Sequence, residues 1–97
     1  MATNTTAAIT VRIPTQLRTI TGGAATIEVE ASSVAEALTA VVGLYPDFND
    51  RLFDDSGSLR RFVNVFVAEE DIRFLSGLDT PLHAGQTVSI IPAVAGG

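Results

Sequence analysis

A single amphipathic helix set among strand-like segments is the feature that most constrains this chain. Ser33-Val34-Ala35-Glu36 has the spacing of a capping box, in which a serine hydroxyl and a glutamate carboxylate satisfy backbone donors left open by the first helical turn. From there Val34, Leu38, Val41, Val42 and Tyr45 fall at i, i+4, i+7, i+8 and i+11, forming one apolar stripe. Pro46 lacks the backbone donor that a further turn needs and ends the helix. A lone helix with one apolar stripe has to bury it against another layer, and the rest of the chain offers strands.

Residues 8–13 alternate with period two, placing Ile9, Val11 and Ile13 on one face and Thr10 and Arg12 on the other; Pro14 ends the run. Thr21-Gly22-Gly23 supplies a turn, and residues 25–30 alternate again with Ile27 and Val29 inward. This predicts a hairpin whose inner face the helix covers. Residues 47–61 are polar and turn-rich, with Asp54-Asp55-Ser56-Gly57-Ser58 expected as a flexible loop. Phe62-Val63-Asn64-Val65-Phe66-Val67 is apolar at every position but Asn64, which predicts a central strand at least partly covered on both faces. Glu69-Glu70-Asp71 reads as an acidic turn into a short Ile72-Arg73-Phe74 strand, and residues 81–85 bridge to a last strand, Thr87-Val88-Ser89-Ile90-Ile91. The order strand, strand, helix, strand, short strand, strand shows no repeat and no linker, so residues 1–97 read as one α+β roll. The long crossover allows the last strand to lie parallel beside the first. After Pro92, residues 93–97 have little to pack and are expected to form an extended, mobile tail.

With 97 residues and an apolar fraction of 46%, the chain can bury one modest core and not two. Its formal net charge of -5 would repel a phosphate backbone, so nucleic acid is not an expected partner. The same acidity serves solubility and would favour a basic groove on a partner protein. The absence of cysteine excludes disulfides, thiolate metal sites and a cysteine nucleophile. Residues 1–8 lack the basic-then-apolar order of a signal peptide, and no stretch approaches the roughly 20 apolar residues of a membrane helix. A cytoplasmic location without a membrane partner is therefore expected, and Asn4-Thr5-Thr6 is then a chance glycosylation sequon. All six basic residues are arginines and there is no lysine. Codon usage in a GC-rich genome would produce this; so would a need for no side-chain amine that can attack an activated carboxyl group.

Conventional catalytic constellations are missing. His83 sits in a loop between Pro81 and Gly85, and the run Glu69-Glu70-Asp71 is expected to stay solvated instead of holding a cation. Neither Ser56-Gly57-Ser58 nor Gly22-Gly23 has the lysine or the following helix of a phosphate loop. No catalytic side chain, resident metal or cofactor is expected. The remaining feature is Gly96-Gly97, a carboxylate on a slim stalk that follows a strand. Five residues extend about 17 Å at about 3.4 Å each, enough to reach a buried site in a partner. A carboxylate is a poor electrophile and must become a mixed anhydride with AMP before a sulfur nucleophile can displace the leaving group, so a partner has to supply the nucleotide site.

The ending Gly85-Gln86-Thr87-Val88-Ser89-Ile90-Ile91-Pro92-Ala93-Val94-Ala95-Gly96-Gly97 resembles the G-D-x-V-x-I-x-P-x-x-x-G-G pattern of the ThiS/MoaD sulfur carriers, with Gln86 in place of the common Asp. The likeness extends over essentially the whole chain. It implies a β-grasp, ubiquitin-like roll with a mixed sheet and one main helix. It also implies that an E1-like adenylyltransferase of the MoeB/ThiF type, using ATP and Mg²⁺, activates Gly97 for conversion to a thiocarboxylate. Gly96, Ala95 and Val94 would thread the partner's channel, and the carrier itself would bind no cofactor. The 62–67 strand and the Pro-Ala-Val-Ala-Gly-Gly ending look most similar to the CysO-type carriers of actinobacteria. There, sulfur goes to an activated serine on a PLP-dependent cysteine synthase, and a metallopeptidase releases the cysteine. Exposed apolar side chains on the sheet face away from the helix would dock the activating partner. Phe66 and Phe62 are the candidates, against the alternative that both fill the core. Two rival functions remain: a ubiquitin-like modifier joined through its C-terminal glycine to lysines of other proteins, and a non-catalytic β-grasp interaction domain with an inert tail.

Overall fold

The computed structural model describes residues 7–61 and 63–92. Its elements, in order, are β1 (Ala7–Arg12), β2 (Thr26–Ala31), α1 (Val34–Leu44), α2 (Phe48–Leu52), β3 (Val63–Val67), β4 (Glu70–Asp71) and β5 (Thr87–Pro92). The strands form one mixed sheet in the order β2-β1-β5-β3-β4. Ile9 lies opposite Val29 and Val11 opposite Ile27 in the antiparallel β1/β2 pair. Val11 also lies opposite Val88 in the parallel β1/β5 pair, and Val65 opposite Ile90 in the antiparallel β3/β5 pair. This is the β-grasp roll, with the last strand parallel to the first.

Period-two alternation explains the inner face: Ile9, Val11, Ile27, Val29, Val63, Val65, Val88 and Ile90 are all buried on it. Val34, Leu38 and Val41 of the helix stripe are fully buried, joined by Ala37, while Val42 and Tyr45 pack half-buried at its margin. The N-terminus of α1 departs from a reciprocal capping box in one respect. Ser33 Oγ accepts from the Glu36 amide at 3.3 Å, whereas Glu36 Oε1 reaches one residue further back, accepting from the Ser32 amide and hydroxyl at 2.8 Å each.

Three expectations need correction. The polar stretch 47–61 contains a helix, because Phe48 and Leu52, four residues apart, both plug the core at 0% exposure. Within it, the turn 54–58 is tied down: Asp54 Oδ1 accepts from the Ser56 amide, the Ser56 hydroxyl and the Ser58 amide. Second, the middle strand is β5; β3 lies between β5 and the two-residue β4, and its outer residues Asn64 and Phe66 are half-buried. Third, residues 72–74 form a 3-10 turn, and the short strand precedes them. Ala68 and Glu69, at φ 51° and 72°, make the left-handed two-residue hairpin turn, and the Asp71 carboxylate then caps the 3-10 turn by accepting from the Arg73 amide at 2.8 Å.

Gly85 sets the start of β5. At φ 86° it adopts a backbone that a side chain would strain, and its amide donates to the Ala8 carbonyl at 3.0 Å. Gln86 follows, its carbonyl accepting from the Thr10 amide at 3.1 Å, and the parallel ladder begins there.

Candidate functional site

Gly97, Gly96, Ala95, Val94 and Phe62 lie outside the described residues. The described part of the site is the root of the tail and the sheet face around it. β5 ends with Pro92 opposite Val63, so the chain leaves the sheet from its middle strand, flanked by β1 on one side and β3 on the other.

On the face away from α1, β5 presents Thr87, Ser89 and Ile91, β3 presents Asn64 and Phe66, and β1 presents Thr10 and Arg12. Register makes these neighbours: Arg12 is opposite Ser89, Ser89 is opposite Phe66, and Ile91 is opposite Asn64. Phe66 faces away from the helix and is half-buried by its neighbours, so it does not enter the main core. Ile91 stands beside it, 48% exposed. The sequence reading missed Ile91, although period two from Val88 and Ile90 places it outward; the adjacent isoleucines concealed the alternation.

The polar groups around this apolar pair are fixed. The Arg73 guanidinium donates to both Asp71 oxygens and, at 2.6 Å, to Asn64 Oδ1, which places it beside the Asn64/Ile91 pair. Bonding from Arg73 holds the Asp71 carboxyl below the usual aspartate range and raises the guanidinium above its own. Asp71 is therefore buried and paired, correcting the expectation of a uniformly solvated acidic run; Glu69 and Glu70 are exposed. On the other side of β5, Arg12, Pro14, Thr15, Arg18, Ser89 and Ile91 line a shallow groove, and Arg18 Nε donates to the Ile13 carbonyl at 3.0 Å.

His83 is exposed, its backbone amide donating to Gln86 Oε1. Among the described residues no three His, Asp or Glu side chains converge as metal ligands. No helix among them is long and apolar enough to cross a membrane.

The ThiS family model matches residues 11–97. Sulfur carrier protein CysO of Mycobacterium tuberculosis is 42% identical over 91 residues, covering 92% of this chain and 98% of its own. The CysO seen in the crystal structure of the Amycolatopsis orientalis BexX/CysO complex superposes with a TM-score of 0.85 at 43% identity, covering 93% of this chain and 100% of its own. Small archaeal modifier protein 1 of Haloferax volcanii is 32% identical over 78 residues, 77% of this chain and 85% of its own. Family match, near-full-length identity and superposable fold agree, and the chain belongs to the ThiS family.

Proposed function

We propose that the chain is a sulfur carrier whose working group is the carboxylate of Gly97. The observation that carries this reading is that the ThiS match runs to residue 97, taking in the Gly96-Gly97 ending together with the folded body. The body orients the tail and the tail delivers a carboxylate; the chain is a co-substrate, not an enzyme. An E1-like enzyme of the MoeB/ThiF type would supply the ATP and Mg²⁺ site. A Gly97 carboxylate oxygen attacks the α-phosphorus of ATP and pyrophosphate leaves; sulfur at the sulfide level, as hydrosulfide, then attacks the carbonyl carbon, expels AMP and loses its proton to leave the thiocarboxylate. Val94, Ala95 and Gly96 form the part that enters the activating channel, and Phe66 and Phe62 are docking residues on the body.

The likeness to two CysO proteins favours cysteine synthesis as the destination, with a PLP-dependent cysteine synthase as acceptor and a metallopeptidase to release the product. These partners and a cytoplasmic setting belong to the proposal. A second reading, conjugation to lysines of other proteins, draws on the likeness to small archaeal modifier protein 1.

Intact mass of the protein from its native host, purified without reductant or amine, tests the carrier reading. The expected result is replacement of one oxygen by sulfur, confined to the C-terminal peptide. A terminus that stays unmodified even with an E1-like enzyme, ATP and a sulfur source would overturn it. Isopeptide adducts on other proteins in a lysate would establish conjugation. A cellular activity that survives deletion of Gly96-Gly97 would instead leave an interaction domain.

A further inference from the structure

A cavity of about 480 Å³ opens beside β3. It exists because β4 stops after two residues and pairs only with Phe66 and Val67, leaving residues 63–65 without a strand neighbour on that side. Leu59, Val63, Val65, Ile72 and Leu78 line its apolar part, and its volume falls within the range of about 300–1,000 Å³ usual for ligand pockets. Three arginines stand around it, and two are already engaged. Arg73 is held by Asp71, the one carboxylate in the lining, and by Asn64. Arg60 donates from Nε to the Asp50 carbonyl at 2.7 Å and shares its charge with Asp54. Arg61 is exposed, and its guanidinium makes no ion pair or hydrogen bond among the described residues.

The cavity adjoins the point where the described chain ends. Val63, in its wall, is the ladder partner of Pro92. Because β5 runs antiparallel to β3, it finishes at the end of the cavity where Arg60 and Arg61 stand. Five residues follow Pro92, and they span at most about 17 Å. They carry one branched apolar side chain, Val94, and one fixed negative charge, the Gly97 carboxylate, which match an apolar floor and an unpaired guanidinium.

We propose that this cavity is an intramolecular binding site for the chain's own C-terminal peptide, in which Val94 packs on the apolar floor and the Gly97 carboxylate accepts from the Arg61 guanidinium. A short link gives the tail an effective concentration on the order of millimolar, so a site with only millimolar affinity for a free peptide is about half occupied. The site itself does not depend on the carrier reading. Where that reading holds, docking of the tail competes with its activation.

The experiment compares amide resonances of the full chain with those of its C-terminal primary amide. Ammonia displacing the thiol of an intein-derived thioester makes the amide, so one charge is removed and no residue is lost. The resonances of Leu59, Arg61, Ile72 and Leu78 should differ between the two forms, and by the same amount at every protein concentration. Nuclear Overhauser contacts should join the Val94 methyls to those of Val63 or Leu78. Arg61→Gln should lose the differences and Arg61→Lys, which keeps the charge, should retain most of them. Arg12→Gln, on the other side of β5, should leave them unchanged. Arg61 and Arg12 are exposed, so these variants are expected to fold, and otherwise unchanged spectra check this. Differences that survive in Arg61→Gln, or that fall on the outer sheet face, would overturn the proposal. Differences that grow with concentration would put the tail in a second copy's cavity and overturn the intramolecular site. Spectra that agree between the two forms would remove the tail from the cavity; shifts in the amide form on adding acetyl-glycylglycine would then assign it to a diffusing carboxylate. None of these results alters the carrier reading, which intact mass tests separately.

Discussion

Asp71 and Arg73 form a two-pronged ion pair, Nη2 lying 2.8 Å from Oδ2 and Nε 3.2 Å from each carboxylate oxygen. Because the Arg73 amide and Asn64 Oδ1 join the same cluster, this pair ties the 3-10 turn to β3 beside the half-buried Phe66 and the exposed Ile91.

The first prediction follows from its titration. Arg73 lowers the folded-state pKa of Asp71 below that of the unfolded chain, so protons bind the unfolded state more readily. The contribution is fully present above the ordinary aspartate pKa of about 3.9 and is lost as pH falls through the lower, folded value. Glu36, lowered by bonds from Ser32, and Asp54, lowered by bonds from Ser56 and Ser58, act in the same direction. Thermal unfolding should be nearly flat between about pH 5 and 7 and fall steadily below about pH 4. Since Arg73 is largely exposed, Asp71→Asn should cost only about 1 kcal/mol at neutral pH and shallow the acid limb. An acid limb identical to wild type would show that the pair contributes nothing.

The second prediction concerns a helix that sequence patterning did not reveal. β1, β2 and α1 were legible because each repeats its period several times over one buried face. α2 repeats nothing: five residues show only Phe48 and Leu52, and whether these reach the core depends on chain placement after Pro46. Residues 72–74 were misread for a related reason, since Ile72 and Phe74 alternate like a strand while Asp71 bonds the chain into a turn. Phe48 is fully buried, so Phe48→Ala should cost about 3–5 kcal/mol, whereas exposed Asp55→Ala should stay within about 0.5 kcal/mol. Chemical denaturation of both variants checks the contrast.

A third prediction separates docking from folding. Gly96-Gly97 lies outside the described residues; the outward position of Phe66 follows from the period of β3, whereas the Phe66–Ile91 pairing needed the β3/β5 register. Both side chains stand outside the main core, so Phe66→Ala and Ile91→Ala should each cost about 1 kcal/mol of stability or less. Each should nonetheless raise KM for adenylation severalfold with little change in kcat. Because the two are diagonal neighbours, the double variant should deviate from additivity. Normal adenylation of Phe66→Ala would remove Phe66 from the docking surface.

The fourth prediction gives the absence of lysine a chemical test. A guanidinium stays protonated above pH 12 and does not attack an acyl group, whereas a lysine amine, with a pKa of about 10.4, supplies some free nucleophile at pH 8. Arg61 lies two residues before Val63, which faces Pro92, so it is near the point from which five further residues can span at most about 17 Å. At the millimolar effective concentration that a short intramolecular link provides, an amine there would compete with any diffusing sulfur nucleophile. A C-terminal thioester made by intein cleavage isolates this chemistry from every partner. In Arg61→Lys the amine nitrogen bonds to the Gly97 carbonyl carbon, the thiol leaves, and a closed chain lighter by one water than the free acid accumulates, with the crosslink mapped to residue 61. Arg61→Gln should hydrolyse at the wild-type rate. Equal survival of the thioester in Arg61→Lys and wild type would mean that lysine at the tail root is harmless, leaving the arginine-only composition to codon usage.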